Sequence, residues 1–288
     1  MVILLLCIIL LLLFIYYLIT REDIVYHEKD YLFNPKEQLD CHGFCLCKRA
    51  VSSEKADYYK SLCDHSQYKR VKQELLKDPW LWRHVVKPIL GSEYQFQDYI
   101  WIIQKSAVHT CHRDNNGDFF NKGQTHPSYT MIVYLEDMHK CLSVIPESHL
   151  STTKHFFNFG NSLRTIVCEK GDVLLFNANL IHVGTVNTDK PDNLRIQLKV
   201  THKDDIDKID YYEDFNKVLN TDNTNPLAVR LLQRNASCLV PGFSDATQTE
   251  NIRTARGSDN GVDVGSLQQI FSYLFYGNKR FYDLPNAF

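Results

Sequence analysis

The strongest constraint on how this chain can fold is an uninterrupted apolar run at its beginning. The run Val2–Thr20 contains no charged residue, no proline and no glycine. At a rise of about 1.5 Å per residue, a helix of this length spans close to the ~30 Å hydrocarbon core of a bilayer. Tyr16 and Tyr17 lie near one end, where interfacial aromatic residues are favoured. The sequence therefore predicts a single-pass membrane anchor over residues 1–20.

A cleaved signal peptide is the alternative to an anchor. It is disfavoured because the run is long, lacks a basic segment before it, and has no small-x-small cleavage site before Arg21. The side of the membrane stays undetermined. Arg21 and Lys29 favour a cytosolic catalytic part under the positive-inside tendency. Eight cysteines outside the run and the glycosylation tripeptide Asn235-Ala236-Ser237 favour the opposite side.

Composition and length limit the partners and the number of domains. With Lys+Arg 32 against Asp+Glu 34 the formal net charge is −2, so the chain lacks the basic footprint of a nucleic-acid-binding protein. A length of 288 residues suits one sizeable domain with appendages. We predict a polar stalk over residues 21–36, one domain over 37–205, and a C-terminal extension over 206–288 whose loops and short helices pack on that domain.

The order of the secondary-structure signals predicts an α+β fold. Helical spacing dominates residues 52–90, and Gly91 is typical of a helix end. From Tyr94 onwards, short segments rich in β-branched and aromatic residues alternate with turn residues, as in YQFQDYIWIIQ, SYTMIVYL, DVLLF and RIQLKV. Helices followed by a run of short strands indicate a sandwich or barrel with flanking N-terminal helices.

One tripeptide has the spacing of a metal site. In His112-Arg113-Asp114 the first and third side chains share one face of a strand, because side chains alternate with period two. His182 follows a separate strand about seventy residues later. Two histidines and one carboxylate on one face suit ferrous iron, with open positions for a chelating co-substrate and dioxygen. Arg195 would supply the positive charge that a dicarboxylate co-substrate needs. Gln197 and Lys199 follow at alternate positions, so they lie on the same polar face of the predicted strand.

Zinc bound by cysteine is the weaker interpretation of the same region. A site formed by His109, Cys111 and His112 is disfavoured because neighbours in a strand point to opposite faces. Cys45-Leu46-Cys47 fits alternating residues of a strand, since no second cysteine pair follows at zinc-site distance. Cys111 and Cys168 are therefore predicted to be buried thiols.

Several landmarks occur in an order typical of one enzyme family. They are Leu39–Phe44, Ser52–Glu54, His112–Asp114, Tyr134–Asp137, Val144–His149, Gly171–Asp172, His182–Asn187 and Arg195. In this order, and with these gaps, the sequence over about residues 37–202 resembles the phytanoyl-CoA dioxygenase family of iron- and 2-oxoglutarate-dependent oxygenases. It departs from the family pattern at Glu147, where glycine is usual, and at Arg113, where glutamine is common.

The resemblance implies a double-stranded β-helix, or jelly-roll, core. It implies that His112, Asp114 and His182 bind Fe²⁺ and that Arg195 binds the far carboxylate of 2-oxoglutarate, since a guanidinium fits a planar carboxylate in a bidentate manner. The implied reaction consumes 2-oxoglutarate and dioxygen, releases succinate and carbon dioxide, and hydroxylates a substrate, with ascorbate as a supporting reductant. His149 could support this site or contact substrate.

The substrate is not readable from the sequence. The anchor favours a lipid or a membrane-delivered molecule, while the resemblance implies small-molecule substrates more broadly. Two alternatives stay open, namely a jelly-roll binding or scaffold protein without turnover, and a protein hydroxylase of the prolyl or lysyl type. The sequence makes no prediction of the oligomeric state.

Overall fold

The structure is a computed structural model that describes most of the chain before its C-terminal part. The described residues are 2–32, 34–105, 110–160, 162–186, 192–220, 225–242, 266, 270, 273, 274, 287 and 288. His109 and most of the predicted C-terminal extension beyond residue 242 lie outside them.

Helices occupy the first third of the chain and one segment after the strands. They are α1 (Val2–Thr20), α2 (Pro35–His42), α3 (Ser53–Asp64), α4 (Tyr68–Leu76), α5 (Pro79–Leu81), α6 (Lys87–Leu90), with a π-helical turn Trp82–Val86 between α5 and α6, and α7 (Leu227–Ser237). Helix α3 begins after Ser52, whose Oγ accepts a hydrogen bond from the Lys55 backbone N–H at 3.3 Å. Helix α6 ends at Gly91, as predicted, with a positive φ that glycine adopts without strain.

Eleven strands are present in the described part of the chain. They are β1 (Ile24–Val25), β2 (Phe44–Cys47), β3 (Tyr94–Phe96), β4 (Tyr99–Lys105), β5 (Tyr129–Tyr134), β6 (Met138–Val144), β7 (Arg164–Cys168), β8 (Val173–Asn177), β9 (His182–Gly184), β10 (Asp192–His202) and β11 (Phe215–Leu219). The large sheet has the order β11-β4-β10-β5-β8-β2, with β3 paired to β10. The small sheet has the order β1-β7-β6-β9.

The strand connections are those of a jelly roll. From β4 to β10 the chain passes repeatedly between the large and the small sheet, so that strands distant in sequence become neighbours. The predicted α+β jelly roll with N-terminal helices is therefore confirmed. The predicted C-terminal extension contributes more than loops and helices, because β11 pairs in parallel with β4 and lengthens the large sheet.

Strand β5 shows how the large sheet separates two apolar layers. Met131 and Val133 pack in the cluster that contains the helices α3 and α4, whereas Ile132 and Tyr134 pack against the small sheet. Because both faces are covered, every residue of the strand is buried, and apolar residues occupy both faces rather than alternating with exposed polar ones. The inner face of β5 therefore forms one wall of the space between the two sheets, and the packing of its outer face under the helices fixes the position of that wall.

The C-terminal turn of α1 packs on the domain through α7. Leu18 is buried, and its carbonyl oxygen accepts a hydrogen bond from the Asn235 side-chain amide at 2.6 Å. The Asn235 side chain is therefore enclosed, and the tripeptide noted above does not present a glycosylation acceptor in this fold. Most of α1 before this turn is exposed.

The segment 21–36 packs on the small sheet rather than forming a separate stalk. Strand β1 pairs in parallel with β7, and Tyr26 is buried among residues of the layer between the sheets. The Asp23 carboxylate forms an ion pair with Arg234 of α7, and both side chains are about 6% exposed. Burial raises the pKa of Asp23, but Arg234 and the hydroxyls of Ser143 and Thr165 lower it further, so the net shift is downward.

The cysteines of this fold are all free thiols. Cys111 and Cys168 are buried, as predicted, and Cys168 lies with its sulfur 2.8 Å from that of Cys141 across β6 and β7.

We predict that Asp23→Asn lowers the free energy of unfolding by about 3–5 kcal/mol at neutral pH, because it leaves the Arg234 charge buried without its partner. Denaturant unfolding of the full chain in detergent measures this. The matched control is Asp40→Asn, which breaks an exposed pair with Lys36 and is expected to cost less than about 1 kcal/mol. A loss no larger than that of the control would show that the pair does not stabilise this junction.

The same pair predicts a pH dependence. Because the folded-state pKa of Asp23 lies below its unfolded value, the contribution is fully present above about pH 4 and is lost as the pH falls through the folded-state pKa. We expect the difference in stability between the wild type and Asp23→Asn to shrink in that acidic range. A difference that stays constant down to pH 2, roughly two pH units below the ordinary pKa of an aspartate carboxyl, would contradict the assignment.

Candidate active site

Two distant histidines meet through one pair of backbone hydrogen bonds. The His112 N–H donates to the His182 carbonyl, and the His182 N–H donates to the His112 carbonyl, each at 2.9 Å. Residues that face each other in an antiparallel pair project from the same side. Both imidazoles accordingly enter the space between the two sheets, where their ring centres are 4.4 Å apart.

Each of the two histidine rings is oriented by its own backbone. Nδ1 of His112 lies 2.8 Å from the Thr110 carbonyl oxygen, and Nδ1 of His182 lies 2.9 Å from that of Leu180. A carbonyl can only accept, so Nδ1 carries the proton and Nε2 of each ring presents a lone pair. Both Nε2 atoms lie 3.9 Å from Oδ1 of Asp114. The predicted His-Asp-His group is thus brought together.

The second oxygen of Asp114 is held by a buried lysine and a threonine. Oδ2 accepts hydrogen bonds from Thr130 Oγ1 and from Lys199 Nζ, the latter at 2.8 Å, and Lys199 also donates to Thr130 Oγ1. Lys199 is only 1% exposed. Burial alone would raise the pKa of Asp114, but the charge of Lys199 and its hydrogen bond hold it well below its usual range. The carboxylate is therefore ionised, with Oδ1 directed toward the histidines.

Arg195 faces the same space from strand β10. It lies with Gln197 and Lys199 in the wall of a cavity that also contains the three metal-site side chains, as the alternation of this strand predicted. Burial lowers the pKa of Arg195, although a guanidinium stays protonated at any ordinary pH. Its register partner on β5 is Tyr134, which is fully buried and whose hydroxyl makes no hydrogen bond within the described part of the chain.

Three residues of this site were not singled out in the sequence. Thr130 lies inside an apolar strand and gives no separate signal. Tyr99 and Phe215 stack at 4.4 Å with nearly parallel rings and line the cavity from β4 and β11. The alternation of FNKVL could have indicated a strand at Phe215, but nothing in the sequence pairs that strand with β4.

The residues that depart from the family pattern have structural roles. Glu147 has a φ of 66°, in the left-handed region that favours glycine, which accounts for the usual glycine at this position. The guanidinium of Arg113 is buried and donates to the carbonyl oxygens of Ser148, Asn179 and Ser151. It thereby ties the tripeptide to the loop after β6.

Histidines outside the cavity form other contacts. His149 is buried against Gly43, and its Nε2 lies 3.1 Å from the Asp40 carbonyl oxygen, so it supports the end of α2. His126 and His202, which come near Asp204, stack at 3.6 Å with rings 16° from parallel. Parallel stacked rings direct their lone pairs side by side rather than at one ion, so this group is a poor metal site. 

Cys111 lies on the face opposite to the candidate site. It packs with Ile145, Leu163 and Cys238 in a small apolar cluster. Its neighbour His112 instead lines the cavity. This placement agrees with the argument against zinc, although His109 lies outside the described residues.

The residues fit Fe²⁺ and 2-oxoglutarate. Two imidazole Nε2 atoms and one carboxylate oxygen, each fixed by a hydrogen bond on its far side, form the two-histidine, one-carboxylate donor set that suits ferrous iron. The buried Arg195 guanidinium, which lines the cavity, suits a carboxylate that enters it.

Comparison with known proteins agrees with this chemistry. Residues 49–190 match the family model described as phytanoyl-CoA dioxygenase. No curated protein matches the sequence. Among solved structures, the chain is similar to HygX from Streptomyces hygroscopicus with nickel and 2-oxoglutarate bound, with a TM-score of 0.49 and 17% identity over 59% of this chain and 86% of that one.

Two further solved structures are similar at the same level. One is the non-haem alpha-ketoglutarate-dependent epimerase SnoN from nogalamycin biosynthesis, with a TM-score of 0.48 and 14% identity over 58% of this chain and 79% of that one. The other is EvdO2 from Micromonospora carbonacea var. aurantiaca, with a TM-score of 0.45 and 12% identity over 63% of this chain and 94% of that one.

We predict that Lys199→Met weakens ferrous-iron binding about 10- to 100-fold, since groups that orient a metal ligand typically contribute this much to affinity. Methionine keeps the length of the buried stem but removes the charge that fixes Asp114. Anaerobic titration of the full chain with Fe²⁺ measures the change. Lys203→Met, at an exposed lysine paired with Glu93, serves as the control and should bind iron normally. Equal affinities of the two variants would contradict the role given to Lys199.

Proposed function

Since residues 49–190 form a domain of the phytanoyl-CoA dioxygenase family, we propose that this iron- and 2-oxoglutarate-dependent oxygenase hydroxylates a small-molecule or lipid substrate. His112, Asp114 and His182 would bind the iron. The reaction consumes 2-oxoglutarate and dioxygen and releases succinate and carbon dioxide. The convergence of these three side chains with Arg195 in one cavity carries the proposal.

The three converging side chains would hold the iron by one face. His112 and His182 contribute neutral Nε2 atoms, because the carbonyls of residues 110 and 180 hold the ring protons on Nδ1. Asp114 contributes Oδ1. When bound, iron supplies the activation of dioxygen that no protein side chain can supply. The aspartate occupies a ligand position and so favours hydroxylation over transfer of a halide.

Arg195 would bind the carboxylate of 2-oxoglutarate that lies far from the iron. Its guanidinium is buried, so the ion pair would form where water screens it little. Tyr134 stands opposite it on β5 and can donate its hydroxyl to the same carboxylate. The stacked rings of Tyr99 and Phe215 and the indole of Trp101 form an apolar wall that limits water beside the reacting groups.

We further propose that α1 anchors the enzyme in a membrane, with a lipid or membrane-delivered molecule as the favoured substrate class. The helix is 19 residues long, has a mean hydropathy of 3.3 in its most apolar window, and is almost entirely exposed. Exposed apolar surface of this size is stable only in lipid or against another apolar surface.

The test is formation of succinate from 2-oxoglutarate by the full chain in detergent, with Fe²⁺ and ascorbate. We expect turnover without added substrate to be slow but measurable, and to be abolished by His182→Ala, which removes one metal ligand. His139→Ala, at an exposed histidine of β6, is the matched control and should retain activity. A chain that binds iron and 2-oxoglutarate but forms no succinate would favour the binding or scaffold protein.

Arg195→Met is expected to raise the KM for 2-oxoglutarate roughly 10- to 100-fold, because charge-assisted hydrogen bonds contribute about 1.5–3 kcal/mol each. Iron affinity should stay close to that of the wild type, since Arg195 is not one of the three ligands. Steady-state kinetics at varied 2-oxoglutarate measures the change. An unchanged KM would assign the carboxylate to another residue.

A further inference from the structure

A short loop after β6 exposes several large apolar side chains together. We define the aromatic loop as residues Leu150–Gly160. Within it Phe156, Phe157 and Phe159 are 41%, 59% and 69% exposed, and Leu150 is 65% exposed. The rings of Phe157 and Phe159 stack at 5.6 Å, and Phe156 meets Phe157 edge to face at 4.9 Å. A contiguous exposed aromatic patch of this kind is typical of an interaction surface.

The aromatic loop is held to the domain by polar groups and by the ring of Phe156, while the rings of Phe157 and Phe159 face outward. Asn158 is buried; its backbone N–H donates to the Leu239 carbonyl at 2.8 Å and its side-chain amide to the Cys238 carbonyl at 3.3 Å. The Gly242 N–H donates to the Phe156 carbonyl at 3.2 Å. The backbone is therefore fixed on the C-terminal end of α7. The alternation around Asn158 places Phe157 and Phe159 on the outer side, whereas the ring of Phe156 packs against Gly242.

The aromatic loop lies where α1 ends. Arg21, the first residue after α1, donates a hydrogen bond from Nη2 to the Gly160 carbonyl at 3.1 Å, next to Phe159. Beyond the loop, Arg164 pairs with Ile24, which is itself 45% exposed. The exposed surface of α1 and the exposed rings of the loop are thus adjacent, and both are apolar.

We propose that the aromatic loop is a second membrane contact, in which Phe157 and Phe159 enter the headgroup and upper acyl region of the bilayer beside the end of α1, while Phe156 supports them from the side of Gly242. This inference rests on the proposed membrane anchor. Aromatic side chains are favoured at that depth, and apolar groups of interfacial segments enter about 5–10 Å below the headgroups. Two contacts fix the tilt of the domain on the membrane, which a single helix leaves free. The orientation of the cavity relative to the bilayer is thereby set.

The test places a tryptophan in the loop of the full chain. Phe157→Trp and the control Tyr58→Trp, at a half-exposed position of α3 in the helical layer on the large sheet, are reconstituted into phosphatidylcholine vesicles. One set of vesicles carries bromine atoms on the upper part of the acyl chains, which quench nearby indoles. The emission of the wild-type chain is subtracted, because Trp80, Trp82 and Trp101 are native. Flotation of the vesicles reports whether each chain is bound.

We expect the added emission of Phe157→Trp to be quenched about twofold or more, because its indole would lie at the depth of the bromine atoms, and that of Tyr58→Trp to be unchanged. Equal and weak quenching in chains that float overturns the second contact and leaves the anchor standing. A blue-shifted but unquenched Phe157→Trp also overturns it and shows that protein, such as the chain beyond residue 242, covers the loop. Chains that do not float overturn both the contact and the anchor, whereas succinate formation tests the chemistry separately.

Discussion

The candidate active site depends on the backbone pairing of His112 with His182. Reciprocal backbone hydrogen bonds of 2.9 Å join two segments that are distant in the sequence, with strands β5 to β8 between them along the chain. This pairing puts both imidazoles on the inner face, and Arg113, between His112 and Asp114, turns away from the cavity and donates hydrogen bonds to the carbonyls of neighbouring loops. The sequence predicts this tripeptide on a strand, but it joins the sheet by a single bridge at His112; the alternation of its side chains nevertheless directs Arg113 away from the cavity and His112 and Asp114 into it. Without the pairing the three donors would not share a cavity.

The buried charges of Lys199 and Asp114 lose their hydration when the protein folds. A buried ion pair such as Lys199 with Asp114 loses hydration that its attraction only partly restores, so it is weak evidence for stability. Its value lies in holding one oxygen of the carboxylate so that the other faces the histidines. Strand β10 makes this compatible with a core, because its alternate residues are apolar and pack in the layer under the helices. Those residues are Ile196, Leu198 and Val200.

Arg234 connects the end of the apolar helix α1 to the cavity wall. Its guanidinium binds Asp23 just after α1, and its Nε donates to the carbonyl of Gly184 at 3.0 Å. Gly184 lines the cavity next to His182 on β9. A displacement of α1 relative to the domain would therefore act on the strand that carries one of the histidines. Helix α1 and the candidate active site are therefore joined by direct contacts through Arg234, and no flexible linker separates them.

The sequence by itself determined the elements that depend on local pattern. These were the apolar helix Val2–Thr20, the helix-then-strand order, the spacing of His112 and Asp114, and the polar face of β10, because period and composition are properties of neighbouring residues. Only the tertiary structure decided which distant groups meet. The lysine and threonine that hold Asp114, the addition of β11 with Phe215, the burial of Asn235 and the packing of residues 21–36 on the small sheet each join segments far apart in the chain. Local pattern shows which face of an element is polar, but not which other element that face will contact.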